Sequence, residues 1–595
     1  MAKAAAKETL PHWDLDDLYP GVESEKLAKD VKKAERLCSK FAKYYQGKVA
    51  KLSAKNLAAA ISDYEKIQDL LGRLGSYAQL LYAADMSDPK IAQFYQNTHE
   101  TLNRLSTQVL FFTLSINKIS DKDMKKMLKV DELAHYGPWL RDVRTYRTFQ
   151  LSDELEQLLH EKDVTEQAWV RLYDETQAGL RFPMGNKKLT ITEVLNLLSS
   201  KDAKQRKDAA LVLSKVLNEN ISLFSLVTNT LAKNKEIEDN WRGFAKPIAS
   251  RNVANQVEDE VVDALLATVQ ANYESISHRY YKWKAKQFNK RKLDWWDRNA
   301  PLPKSAESNY GWNESVELVM SAYTAFSPTL AKHGRKFFDN NWIDVPPREG
   351  KDSGAFAHPT VPSAHPYLLL NFQGKTRDVM TLAHELGHGV HQVLSAKQGA
   401  LMADTPLTLA ETASVFGEML TFKELLRREQ NEEKRQYLIA SKVEDMINTV
   451  VRQTAFCLFE TKVHAERRSG EVSAERLGEI WMQVQRESLG PALKFDDKYS
   501  SYWAYIPHFI HSPFYVYAYA FGDCLVNSLY AVYEQEAEKG AKQAKAFEKK
   551  YIDMLKAGGT LRHKELLKPF GLNAAKADFW QQGLNVISGY IDQLD

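Results

Sequence analysis

The chain has 595 residues, a formal net charge of +3 and a pI near 8.3. That length allows two or more domains with a substantial core, and so even a charge argues against a dedicated binder of nucleic acid or membrane surfaces. The three cysteines, Cys38, Cys457 and Cys524, are odd in number and far apart, which fits a reducing compartment and no disulfide framework.

Met1 to Glu8 carry no apolar run of signal-peptide length, and the longest apolar stretch, Val109 to Ile116, is far too short to span a membrane. Cytoplasmic residence is therefore expected. Residues 20–175 read as a succession of amphipathic helices, one marked by Leu27, Val31, Ala34, Leu37 and Phe41, another by Leu57, Ile61, Tyr64, Ile67, Leu70 and Leu71. Pro89 and Gly137-Pro138 punctuate them. Leu180 to Ile191 suggests a short strand pair around Gly185-Asn186, with Pro183 confining its strand to an edge. A domain boundary near this point divides the chain into 1–195 and 196–595.

Residues 278–296 interleave basic and aromatic side chains. Such a stretch can stack on single-stranded nucleic acid, but without an accompanying binding fold it reads as a helix with a solvated basic face and an aromatic core face. Ser353 to Phe356 reads as a flexible loop. His358 and His365 adjoin prolines in a non-periodic stretch and are not assigned as ligands. Tyr367 to Phe372, a short apolar run before the next helix, reads as a strand. It either offers its edge to an extended peptide or is a buried structural strand.

Residues 376–418 carry the chemistry. Thr376 is expected as an N-cap, with Asp378 in the first turn, and Val379, Leu382, Leu386, Val390, Val393 and Leu394 recur at helical spacing. Within this helix stands His384-Glu385-Leu386-Gly387-His388. Residues four apart lie about 40° apart around a helix and roughly 6 Å along it, so His384 and His388 can reach one metal ion. Glu385 sits on the flank, able to touch a metal-activated water and badly placed as a third ligand. This is the zinc-hydrolase spacing. Gly387 and Gly389 each cost about 1 kcal/mol in a helix interior, so a close backbone approach is expected there.

A catalytic zinc keeps three protein ligands and an open position. Thr405-Pro406 reads as N-cap and first residue of a second helix, and Glu411 falls inside it among apolar neighbours. A buried acid of that kind is paired or metal-bound, which makes Glu411 the third ligand. Glu418, seven residues on, is placed to hydrogen-bond a ligating histidine.

Residues 425–490 return to charged helices. Tyr499 to Tyr519 then crowds six tyrosines and Trp503 with His508 and His511. Ser512-Pro513 reads as a helix start, which puts Tyr515 and Tyr519 on one face. Peptide hydrolysis needs a donor for the developing oxyanion, and His508, Tyr515 and Tyr519 are the candidates.

At Thr381 to His388 and Leu409 to Glu411 the chain resembles the oligoendopeptidase F family, relatives of thimet oligopeptidase. The resemblance extends to Trp13–Tyr19, Pro366–Phe372, Ile506–Phe509 and Phe514–Tyr517, and so spans nearly the whole chain. It implies a mostly α-helical two-domain metallopeptidase, with a small sheet beside the zinc helix and an N-terminal helical domain walling a deep channel. It also implies one Zn²⁺ per chain and short peptides as substrates, and it puts a histidine and tyrosines at 508–519. A zinc carboxypeptidase and a peptide-binding protein with a vestigial zinc site are the alternatives. The presence of Glu385 counts against the second.

Overall fold

The computed structural model describes residues 9–303 and 308–594, so the expectation about Met1 to Glu8 lies outside the described residues. The fold is mostly helical, as expected, with seven short strands among the described residues. These are β1 (Phe182–Met184), β2 (Lys187–Leu189), β3 (Leu293–Asp294), β4 (Ile343–Asp344), β5 (Phe356–His358), β6 (Tyr367–Leu369) and β7 (Leu493–Lys494). No single described helix is long and apolar enough to cross a membrane, although the bent pair Ala203–Glu219 and Ile221–Arg242 passes that test jointly.

Two compact units share the chain. The first gathers residues 1–147, 307–428 and 533–571. Its N-terminal part follows the predicted stripes. Leu27, Ala34 and Phe41 of helix Glu25–Tyr45 are buried against Leu57, Ile61, Ile67, Leu70 and Leu71 of helix Ala54–Ala84. Pro89 sits in the first turn of helix Pro89–Val109, where a missing N–H costs nothing, and Asp88 caps it. Phe41, Tyr64, Phe112 and Trp139 form an aromatic cluster that seals this bundle.

This unit also holds the three-stranded sheet, in the order β4-β6-β5. The predicted strand at Tyr367 to Phe372 exists as β6, shorter at its C-terminal end. Ile343 of β4 pairs in parallel with Leu368, while Phe356 of β5 pairs antiparallel with Leu369. Both edges of β6 are occupied, so it is the buried structural strand and offers no edge to a peptide. Its three residues are fully buried, as an uninterrupted apolar run in a central strand should be. Phe356, read as loop, instead opens β5, an outer strand of the sheet.

The second unit gathers residues 148–306, 429–532 and 572–595. Here β1 and β2 form the expected hairpin around Gly185, whose φ of +60° suits the turn. In helix Arg279–Gln287, Tyr280, Tyr281 and Trp283 face the core while Lys282 and Lys286 are exposed. Lys284 departs from the predicted solvated basic face: it is fully buried, paired with Glu444, and donates to the Arg298 carbonyl at 2.8 Å.

Candidate functional site

Helix Thr376–Ser395 of the first unit carries the His-Glu-x-x-His run. Lys375, not Thr376, is its N-cap. Asp378 at the third helical position reaches back to the amides of Gln373 and Lys375 at 2.8 and 2.9 Å, the acidic half of a capping box. The partner helix, Leu407–Arg428, begins one residue later than expected: the Pro406 carbonyl accepts the Leu409 and Ala410 amides and occupies the cap.

The glycines explain how the two helices meet. A Cβ on Gly387 would lie 2.5 Å from the Ala413 carbonyl oxygen and 2.7 Å from Ser414 Cα. On Gly389 it would lie 2.6 Å from the Phe337 ring. At Gly387 the expected close backbone approach is that of the Leu407–Arg428 helix, and it brings Glu411 to the histidines, whereas at Gly389 side chains approach instead. From a third helix, Trp312–Phe326, the buried Tyr323 hydroxyl donates to the Ala383 carbonyl at 2.7 Å, bracing the residue just before the motif.

Three ligand atoms converge. Nε2 of His384 and Nε2 of His388 are 3.1 Å apart, and Oε2 of Glu411 lies 3.4 and 3.5 Å from them. Tetrahedral ligands about 2.0–2.1 Å from a zinc ion stand roughly 3.3–3.4 Å from one another, so the triad fits such an ion. Glu418 Oε1 lies 2.6 Å from His384 Nδ1. Ser414, which the sequence reading passed over, donates to Glu411 Oε2 at 2.7 Å. Its position three residues after Glu411 was the available signal. Nothing in the sequence pointed to Tyr323.

Electrostatics separate the two histidines. Burial disfavours a charge on His384, but the hydrogen bond and charge of Glu418 outweigh it and lift its pKa to about 9. His388 is pushed down to about 4, by burial and by His384, against the pull of Glu411. Glu385 is only 6 % exposed, and burial raises its pKa to about 7, with Glu411 and Glu418 adding to the rise and His384 opposing it. Its Oε2 has no hydrogen-bond partner among the described residues. The carboxylate flanks the triad with an acceptor to spare.

In the second unit the structure brings His508, Tyr515 and Tyr519 together. His508 Nε2 is 3.3 Å from the Tyr519 hydroxyl, and the two tyrosine rings meet edge-to-face at 5.3 Å. The helix expected from Ser512-Pro513 starts only at Tyr517. Phe514 adopts φ +60°, its amide donates to buried Glu460 at 2.8 Å, and Arg251 takes the Pro513 carbonyl at 3.1 Å. A positive φ at Phe514 is incompatible with a right-handed helix through that residue, so the segment only turns, and Tyr515 is presented from a loop. His511 turns away to Asp174, and the buried Tyr517 accepts from Asn255 at 2.9 Å. Tyr499 and Tyr502 are buried against Trp295, and the buried Trp503 stacks on Phe459. His358 lies in β5, and His365 stacks on Trp342 and pairs with Asp17, so neither joins the metal-binding group.

The chain is similar to known proteins over nearly its whole length. A family model described as Peptidase family M3 matches residues 196–586, and one described as Oligopeptidase F matches 115–182. The chain is 26% identical to Oligopeptidase PepF of Bacillus subtilis, over 98% of this chain and 86% of that one. It is 27% identical to an oligoendopeptidase F homolog of Borreliella burgdorferi, over 98% and 97%. In fold it is similar to a structure from Chlamydophila abortus solved as a candidate peptidase, with TM-score 0.86, 22% identity and coverage of 98% and 97%. It is also similar to oligoendopeptidase-F from Enterococcus faecium, with TM-score 0.70, 21% identity and coverage of 96% of each chain. Because the M3 model takes in more than half of the chain, and the relatives span nearly all of it, this protein belongs to peptidase family M3 and is a metalloendopeptidase of the oligoendopeptidase F kind.

Proposed function

We propose that the protein hydrolyses internal bonds of short oligopeptides with one zinc ion held by His384, His388 and Glu411. The observation that carries this reading is the convergence of their three ligand atoms within 3.1–3.5 Å, flanked by a buried Glu385 with a free carboxylate oxygen. Bound there, zinc supplies the Lewis acidity that makes water nucleophilic near neutral pH.

Glu385 takes the proton from the attacking water and passes it to the leaving amine. A pKa raised to about 7 suits both halves of that task. Glu418 holds His384 by Nδ1 and so leaves Nε2 free to ligate. His508, Tyr515 and Tyr519 donate hydrogen bonds to the oxyanion as charge develops on the scissile carbonyl. Support for that role is their mutual contact and the resemblance of this segment to the family. In chain order, we assign the helical N-terminal part to 1–195 and catalysis to 196–595, a division supported by where the two family models end and begin. Three buried, unpaired thiols support a cytoplasmic setting.

The test is product mapping on one peptide of about ten residues, unblocked and C-terminally amidated, beside a stably folded protein. Endopeptidase action cuts both peptides at the same internal bond and spares the folded protein. Stepwise loss of C-terminal residues from the unblocked form alone would make it a carboxypeptidase.

A further inference from the structure

The second unit contains a cavity of about 340 Å³ that borders His508 and is walled by Trp295, Trp296 and Tyr505. Two arginines line it, Arg298 and Arg452. Arg298 is only 8 % exposed. Its Nη1 donates to the Asn448 side chain at 2.8 Å. Arg452 donates to the Tyr505 hydroxyl at 3.1 Å and lies 4.8 Å over the Phe456 ring, while its buried Nε has no partner among the described residues.

Neither arginine meets a carboxylate among the described residues, and this sets them apart from their surroundings. The neighbouring buried cations are neutralised: Arg206 pairs with Asp297 at 2.8 Å, and Lys284 with Glu444. A buried charge without a counter-charge is costly and rarely kept without use. The cost is recovered when an anion enters. A planar guanidinium fork matches a carboxylate, and aromatic walls suit the peptide attached to it. On the peptides this enzyme cuts, the available anions are the C-terminal carboxylate and the side chains of Asp and Glu.

We propose that the cavity is a substrate subsite for a peptide carboxylate, with Arg298 and Arg452 as its counter-charges. Its bearing on catalysis rests on the reading of His508 as part of the reaction centre. A carboxylate held beside His508 selects peptides by the charge they carry near the cut and fixes their register.

The experiment uses one quenched fluorescent peptide in four versions: carboxylate or amide at the C-terminus, each with a Glu or a Gln at a single position beyond the cut. For the parent enzyme, removing the recognised carboxylate should raise KM about tenfold to a hundredfold, the range of a charge-assisted contact. Whether the amide or the Gln has this effect identifies the source. In Arg452→Gln that ratio should collapse toward one, and Arg452→Lys should restore part of it. Arg452 is chosen because it is less deeply buried than Arg298. Equal KM for all four peptides on the parent enzyme overturns the proposal. If no peptide is cut, the proposed activity has failed instead, and the cavity is still tested directly. Tryptophan emission, reporting on Trp295 and Trp296, should then saturate with the carboxylate peptide at concentrations where the amide and Gln forms leave it unchanged. A response equal for all four excludes the subsite.

Discussion

His384 Nδ1 lies 2.6 Å from Glu418 Oε1, across the two helices that carry the metal-binding group. The carboxylate accepts the Nδ1 proton, fixes the tautomer and turns Nε2 toward His388 and Glu411. Such outer partners typically contribute 10–100-fold in metal affinity. Glu418→Gln should therefore weaken zinc binding by about that factor in a chelator competition and leave the fold intact. Unchanged affinity would remove Glu418 from the site.

Glu385 and Glu411 should separate binding from chemistry. Glu385→Gln is expected to keep about one zinc per chain and lose at least about 10²-fold in kcat. Glu411→Ala should lose the metal itself, because a three-ligand site is left with two. Metal content by atomic absorption, read beside turnover, decides. A Glu385→Gln protein that sheds its zinc while Glu411→Ala keeps it reverses the two roles.

Gly387→Ala should be far worse than one methyl group implies. The added Cβ meets the Ala413 carbonyl at 2.5 Å, which is backbone and cannot rotate away. Overpacking commonly costs about 1–3 kcal/mol, and the upper end is expected here, together with weaker zinc binding as the glutamate helix is pushed off. Urea unfolding and zinc titration would measure both. Parental values in both would mean the helices do not meet at this glycine.

Burial raises the pKa of Glu460 to about 8, although the Phe514 amide and Arg251 favour its charge. A carboxyl whose folded pKa lies above its unfolded value holds its proton more tightly when folded. Its stabilisation is present at low pH and is lost as pH rises from about 4.5 to about 8. Glu460→Gln keeps an acceptor for Phe514 and carries no titratable proton. Its urea midpoint relative to the parent should therefore climb between pH 5 and pH 9. A flat or falling difference would falsify the assignment.

Tyr515→Phe and Tyr519→Phe each remove a hydroxyl and almost no volume. Loss of an oxyanion donor typically lowers kcat by about 10²–10³, with little change in KM or zinc content. Tyr517→Phe is the comparison. It should spare kcat and instead cost about 1–3 kcal/mol of stability, because Asn255 loses a buried acceptor. If all three turn over at the parental rate, the tyrosines serve packing alone.

What could be read from the sequence was local or carried by burial. The i, i+4 histidines, the flanking Glu385 and Glu418, seven residues beyond Glu411, follow from helical geometry, and Glu411 from an acid's reluctance to sit among apolar neighbours. Gly387 and Gly389 announced a close approach by their cost, though not what approached. Pairing between distant segments was out of reach. An apolar run such as Tyr367–Leu369 declares that both faces are buried, yet either edge stays open until β4 and β5 are in place. Ser512-Pro513 carries the local signal of a helix start, yet Phe514 is held at φ +60°, with its amide on Glu460 and the Pro513 carbonyl on Arg251, both far away in the chain. Nothing in the sequence sets Arg298 or Arg452 apart from the other cations. Only the tertiary fold, which sets them around one cavity and pairs their buried neighbours Arg206 and Lys284 with carboxylates but, among the described residues, not these two, singles them out, because whether a charge has a partner is a property of space and not of spacing.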